Sequence, residues 1–226
     1  FFNLCFVSLD PKIEIHWNVK DGSSVNSGEK ICILKGNTKT IVTAERAALN
    51  FLQILSATAT QTNYLVSLIS GTNAKLLDTR KTIPGLRKAQ KYAVKCGGGV
   101  NHRMGLYDCI MLKENHILSS GSLEQLIKNA INQFPKTPII VEVESLDELR
   151  SALLMKGIKR ILCDNFSLQD LREAVKISNG ICPLEASGGI TEINILDYAN
   201  TGVDYISIGS TTKDIKSIDL SLRFCS

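Results

Sequence analysis

Residues 181–211 read ICPLEASGGITEINILDYANTGVDYISIGST. A short apolar strand, 181–186, runs into Ser187-Gly188-Gly189, and a helical stretch follows over about 191–200. A second strand, 204–208, ends at Gly209-Ser210. Two buried strands at this spacing are parallel, with the helix as their right-handed crossover. Glycines after a strand let backbone N–H groups approach a ligand, and a helix N-terminus behind them favours an anion.

The same alternation extends back to Lys75. Strands are predicted at 75–79, 108–112, 138–144 and 159–164, with helices over about 85–95, 122–134, 146–156 and 168–178. Ser122 with Gln125 and Ser145 with Glu148 form capping boxes, and Gly157 and Asn179-Gly180 are helix stops. Six parallel strands can make an open doubly wound sheet or an incomplete barrel. No G-x-G-x-x-G follows the first strand, which weighs against a dinucleotide fold. The expectation is α/β, an open six-stranded parallel α/β barrel.

Before Lys75 the pattern differs. Ile13, Ile15, Trp17 and Val19 alternate with polar residues, a half-buried strand ended by the turn Asp21-Gly22-Ser23. Residues 30–35 and 39–43 read as two more strands, and Thr43 as the cap of a helix that starts near Ala44 and breaks near 56–60. This gives an N-terminal α/β sandwich domain over 1–48, rejoined by the tail 213–226, and a catalytic barrel over 49–212. The chain opens on Phe1 with no targeting pattern, and further sequence is expected to precede it.

The chain has 226 residues, is 44% hydrophobic and carries a net charge of +4. That charge, with no run of five or six like charges, excludes a nucleic-acid tail. No apolar run approaches the ~18–20 residues of a membrane span. Seven cysteines, an odd number with no C-x-x-C, read as buried free thiols in a reducing cytoplasm.

Cations concentrate instead in 78–116, DTRKTIPGLRKAQKYAVKCGGGVNHRMGLYDCIMLKENH, where Arg80, Lys81, His102, Arg103 and Lys113 flank Gly97-Gly98-Gly99. The strand ends are, in order, Arg80-Lys81, Lys113-Glu114, Glu144, Asp164-Asn165, Ser187-Gly188-Gly189 and Gly209-Ser210. In a barrel these converge on one face, where active sites are built. The two late glycine loops suit phosphate. Glu144 and Asp164 suit ribose hydroxyls or a divalent cation such as Mg²⁺, and Glu142 lies on the same side of the pleat. Lys81 or Lys113 as a Schiff-base lysine is a second reading. His102 is a hydrogen-bond donor or a base; His16 and His116 are weaker candidates.

On these residues the sequence resembles the quinolinate phosphoribosyltransferase family. The segments are ERAALNFLQILSATAT, DTRKTIPGLRKAQKYAV, GGGVNHRMGLYDCIMLKENH, VEVES, CDNF, EASGGI and DYISIG, in the family's order. The resemblance implies transfer of the phosphoribosyl group of phosphoribosyl pyrophosphate to quinolinate with loss of CO₂, assisted by Mg²⁺. It implies that Arg80, His102, Arg103 and Lys113 hold quinolinate, with Arg46 reaching in from a partner subunit of a homodimer or hexamer. Lys81, Glu144 and Asp164 would hold the ribose–pyrophosphate and its metal, and Ser187, Gly188, Gly189 and Gly209 the phosphate. Lys81, Lys113, Glu144 and Asp164 are the expected catalytic set. The rivals are a paralogue of the molybdenum-transport-associated type with another acceptor, a non-catalytic anion-binding protein, and a barrel aldolase using Lys113. The full arginine set argues against the first, and paired acids beside phosphate loops argue against the second.

Overall fold

The computed structural model describes residues 1–113 and 122–224. Glu114, His116 and Cys225 lie outside the described residues.

The N-terminal part contains helix α1 (Phe2–Val7), strands β1 (Glu14–Trp17) and β2 (Cys32–Lys35), and the long helix α2 (Thr38–Leu68). β1 and β2 pair antiparallel, from Glu14 with Lys35 to Trp17 with Cys32. Phe2, Phe6, Ile13, Ile41, Ala44 and Leu49 close a small core over them, and Leu220 and Leu222 of the C-terminal tail pack on it.

Residues 39–43 are helix, which corrects the strand expected there. The Asn37 carboxamide oxygen accepts from the N–H groups of Lys39 (2.9 Å) and Thr40 (3.4 Å), and so starts α2 earlier than Thr43 would. Ile41, Ala44, Ala48 and Leu49 then fall on one buried face, and that packing overrides the β-branched propensity of the segment. The expected break at 56–60 is also absent, since α2 is continuous. Thr58 and Thr62 donate their hydroxyls to the carbonyls of Ile54 (3.0 Å) and Thr58 (2.7 Å), one turn back, so the threonines are satisfied without leaving the helix. α1 had no strong sequence signal.

From Lys75 the chain alternates β3 (Lys75–Leu77), α3 (Arg87–Cys96), β4 (Ile110–Leu112), α4 (Leu123–Gln133), β5 (Ile139–Val143), α5 (Leu146–Leu153), β6 (Ile158–Asp164), α6 (Leu168–Ser178), β7 (Leu184–Ser187), α7 (Ile195–Ala199), β8 (Tyr205–Ser207) and α8 (Ser210–Lys213). The six strands form one sheet in the order β3-β8-β7-β6-β5-β4, with every pair parallel. β3 and β4 stand at its two edges, which makes a barrel with one open seam. The segment after α3 lies beside β3 at that seam, where Val100 bridges Leu77 in parallel.

The pleat divides the strand residues into two sets. Leu76, Ile139, Val141, Ile161, Leu184 and Ile206 pack outward with Leu149, Leu171 and Ile195 of the helices, in the main core. Inside the barrel the apolar cluster is small: Cys109, Ile140 and Leu162, with Met111 against them. Other interior positions are polar or charged, among them Glu185, Arg160 and Ser207. The helix stops behave as read, with Asn179 left-handed (φ 42°) at the end of α6. α7 starts at Ile195, later than the expected 191, because Asn194 accepts from the Thr191 N–H (2.7 Å) and holds 189–194 as a loop.

Two devices seat the seam segment. The triple glycine is a packing contact, not the pocket floor that its cationic neighbours suggested. A Cβ on Gly97 would stand 2.3 Å from the Ala59 carbonyl oxygen and 2.7 Å from Thr62 Cβ, on the small-residue face of α2. The second is the buried ion pair of Lys91 with Asp78, at 1% and 0% exposure. Gly97→Ala is expected to lower stability by roughly 1–3 kcal/mol by pushing 97–100 off α2. Lys91→Met, which leaves Asp78 charged and buried, is expected to cost about 3–5 kcal/mol, and Lys91→Met with Asp78→Asn less than that; urea unfolding checks all three.

Candidate active site

Helix α3 positions the site through a polar inner face. Arg87, Gln90 and Lys91 follow one another at i, i+3 and i+4. Arg87 spends its guanidinium on three loop positions: Nε on the Thr82 hydroxyl (3.1 Å), Nη1 on the Met104 carbonyl (3.2 Å) and Nη2 on the Arg80 carbonyl (3.0 Å). The buried Gln90 accepts from the Ile83 N–H (2.8 Å) and donates to the Thr212 carbonyl (2.8 Å). Lys91 pairs with Asp78 and also donates to the His102 carbonyl (3.1 Å). Asp78 further accepts from the His102 N–H (2.8 Å) and the Asn101 side chain (2.5 Å). Burial pushes the Asp78 carboxyl up, against the pull of Lys91 and these donors. One helix therefore sets the two cationic segments, 80–82 and 102–104, side by side.

The His102 side chain is 7% exposed, and each ring nitrogen faces a different neighbour. Nδ1 accepts from the Arg103 N–H (2.7 Å), and Nε2 lies 3.4 Å from a Glu185 oxygen. Arg103 is half-buried and donates to the Cys109 carbonyl (3.1 Å). Desolvation, and then the neighbouring Arg80, lower its pKa. That is the signature of cations gathered in a poorly solvated place. Asp108 closes the turn after Arg103 by accepting from the N–H groups of Met104 (2.7 Å) and Gly105 (3.0 Å). Burial alone would raise its carboxyl; those two donors outweigh it and hold it low. A cavity of about 180 Å³ borders His102 and Arg103 on the side of the strand starts, where Cys109, Pro138, Lys159 and Arg160 line it.

The strand ends meet on one face. Lys113, past β4, lies 2.6 Å from both oxygens of Glu142 on β5. Val143 pairs with Cys163 and Asp164 with Ser187, so Glu144, Asp164 and Ser187 continue one register across three strands. Glu144 also borders a groove of about 410 Å³ with Asn165, Ser145 and Asp147. The capping carboxylate of Glu148 accepts from the Glu144 N–H (2.7 Å), which fixes that corner. Asn165 is left-handed (φ 55°); its amide donates to Asp164 (2.9 Å) and its backbone N–H to Ser187 (2.8 Å). Gly188 lies beneath it at φ +96°, where a Cβ would fall 2.1 Å from the Asn165 side-chain oxygen. Gly209 faces Lys81: a Cβ there would sit 3.1 Å from Lys81 Cδ. The two helices behind these loops have only five and four residues, so the exposed N–H groups, more than a helix dipole, make them anion sites.

The structure thus brings together Arg80, Lys81, His102, Arg103, Lys113, Glu144, Asp164, Ser187, Gly188, Gly189 and Gly209. Arg46 is exposed on α2 and joins no hydrogen bond or ion pair among the described residues. Reading the sequence missed Arg87, Gln90, Lys91, Asn101, Asn165, Arg160 and Glu185. A lone Glu185 within the apolar strand ICPLEA was a usable signal. Cys163 and Cys182 are poor nucleophiles, since burial pushes their thiols up to about 12 and about 11. Among the described residues no three His, Cys, Asp or Glu side chains are grouped to enclose a metal, and no helix is long and apolar enough to cross a membrane.

Comparison with known proteins agrees with this geometry. The family description "Quinolinate phosphoribosyl transferase, N-terminal domain" matches residues 2–56, and its C-terminal counterpart matches residues 58–223. The nicotinate-nucleotide pyrophosphorylase [carboxylating] of Mycobacterium leprae is 40% identical over 209 residues, 91% of this chain and 73% of that protein. A Bacillus subtilis protein, described as a probable nicotinate-nucleotide pyrophosphorylase, is 40% identical over 218 residues, 96% of this chain and 75% of its own length. The solved structure of the nicotinate-nucleotide pyrophosphorylase from Francisella tularensis superposes with a TM-score of 0.95 at 50% identity, covering 98% of this chain and 79% of that one. With both its parts matched and its fold shared throughout, this chain belongs to the quinolinate phosphoribosyl transferase family.

Proposed function

We infer that this chain joins quinolinate to phosphoribosyl pyrophosphate and releases nicotinate mononucleotide, pyrophosphate and CO₂, a step of NAD biosynthesis. The observation that carries this reading is the pairing of two anion subsites on one barrel face. Arg80, Arg103 and Lys113 stand on one side, and the 187–189 and 209 glycine loops with Lys81 on the other. Glu144 and Asp164 lie at the strand ends between them.

Quinolinate is a dianion, and clustered cations in a poorly solvated pocket gain from binding it. Arg80, Arg103 and Lys113 hold its two carboxylates, with the partner subunit's Arg46 completing the pocket in a homodimer or a hexamer. The resemblance placed His102 on a carboxylate too. Its Nδ1 accepts from the Arg103 N–H, so His102 also steadies Arg103. The ring nitrogen then faces ribose C1. As the N–C1 bond forms, the C1–oxygen bond to pyrophosphate breaks and its electron pair leaves with pyrophosphate. Lys81 and the glycine-loop N–H groups stabilise that charge where it develops. Glu144 and Asp164 hold the ribose hydroxyls, and Asn165 keeps Asp164 in place. Orientation supplies most of the rate, with no covalent nucleophile. In the quaternary pyridinium the bond from C2 to its carboxylate breaks, CO₂ departs, and the electron pair left beside the positive nitrogen takes up a proton.

Mg²⁺ is the proposed cofactor. The described residues fit it: two carboxylates at adjacent strand ends match an ion that uses one or two carboxylates and takes its other ligands from substrate phosphates and water. When bound it neutralises pyrophosphate charge.

Nicotinate mononucleotide formed from quinolinate, phosphoribosyl pyrophosphate and Mg²⁺, and not from nicotinate in its place, is the expected result; no product from a folded dimer would sink this reading. Arg103→Ala is expected to lower kcat/KM for quinolinate by about 10²-fold while affinity for phosphoribosyl pyrophosphate stays near wild type. Chelating divalent cations with EDTA is expected to abolish turnover, with recovery when Mg²⁺ is returned.

A further inference from the structure

Inside the barrel lies a carboxylate that no step above uses. We propose that Glu185 is a positioning residue for the dicarboxylate pocket, acting through the His102 ring to set where Arg103 stands. This rests on the reading of quinolinate as substrate.

Glu185 sits on β7 and is fully buried. A buried carboxylate is tolerated only with partners; Ser207 of β8 is one, and Arg160 and His102 are the charged or ionisable ones. Arg160 Nε is 2.7 Å from its Oε2, and His102 Nε2 is 3.4 Å from the same oxygen. Both contacts are electrostatic and lack the direction of a full hydrogen bond. Arg160 is itself fixed, its guanidinium lying 4.7 Å from the centre of the Tyr205 ring. A bulge in β6 aims it. Ile139 pairs with Ile158 and Ile140 with Arg160, which leaves Lys159 as the extra residue. Ile158 and Ile161 both pack in the outer core. Strict alternation over three residues would not allow that, and the bulge resolves it with Arg160 facing inward.

The tautomer of His102 transmits the effect. Nδ1 accepts the Arg103 N–H and so carries no proton, which places the ring proton on Nε2, facing Glu185. The carboxylate favours this tautomer over the other. With the proton on Nδ1 the bond to Arg103 would be lost, and the backbone that carries the guanidinium would be free to shift. Burial alone would raise the Glu185 carboxyl, but His102 and Arg160 outweigh it and hold it below its usual value. It is therefore a standing negative charge beneath the ring. Glu185 lies two residues before the β7 strand end at Ser187, and the role proposed for it is on the pocket and not on the bonds that change.

The test is Glu185→Gln, which keeps the shape and removes the charge that selects the tautomer. The KM for quinolinate is expected to rise roughly tenfold while the KM for phosphoribosyl pyrophosphate stays close to wild type, and the unfolding midpoint falls because Arg160 loses its buried counter-charge. Binding of phthalate, a dicarboxylate without the nucleophilic nitrogen, is expected to weaken by the same factor in calorimetry. His102→Asn together with Glu185→Gln is expected to be no worse than His102→Asn alone, because both act on one path. Unchanged KM for quinolinate, an equal rise in both KM values, or effects that multiply in the double variant would each overturn the proposal. Should Glu185→Gln fail to fold, Glu185→Gln with Arg160→Met removes both charges together, and the same quinolinate-selective rise is required. Wild-type protein that forms no nicotinate mononucleotide would instead count against the substrate reading, and the phthalate comparison separates the two failures.

Discussion

The ion pair between Asp78 and Lys91 is the interaction on which the site depends. A barrel with a seam between β3 and β4 needs something to occupy the gap, and the segment around Val100 does so with one strand-like bridge. That bridge is too little to fix a backbone. Asp78 adds the rest by taking donors from Lys91, Asn101 and the His102 N–H. Two buried charges cost several kcal/mol to desolvate, and only full pairing makes the arrangement tolerable. In return β3, α3 and the His102-Arg103 segment become one unit. Asp78 lies two residues before Arg80, so a single pair places both halves of the cation cluster.

The barrel interior follows from the same requirement. A closed (β/α) barrel fills its centre with layers of branched apolar side chains. Here that packing shrinks to Cys109, Ile140, Leu162 and Met111, and the outer core between sheet and helices carries the stability. The interior is left to Arg160, Glu185, His102 and Arg103. Low dielectric makes each of their interactions strong and each unpaired charge expensive. Burial, and then the nearness of Arg80, lower the pKa of Arg103, and both penalties ease when a dianion binds. The pocket is built to be completed by its ligand.

How far the sequence could be read depended on the range of the forces involved. Strands and helices from Lys75 onward were legible because burial on both faces of a parallel sheet leaves unbroken apolar runs between capped helices. Residues 39–43 misled, since KTIVT has the local propensity of a strand while its partners Phe2 and Phe6 are far away in sequence. The triple glycine misled for a related reason: its neighbours are cations, but what demands small residues there is α2, some forty residues earlier. Strand-end residues such as Arg80, Glu144, Asp164 and Ser187 were legible because parallel strands must all end on the same face.

By itself the sequence determined the α/β class, the six parallel strands from Lys75 onward and most residues at the strand ends, since periodicity and chain direction fix those locally. Only the tertiary structure decided which polar residues are buried, that Lys91 serves Asp78, that Lys113 meets Glu142, and that a bulge in β6 turns Arg160 onto Glu185. Those pairings join residues far apart in sequence, and they form because a buried charge must find its partner wherever the fold brings one within a few ångströms.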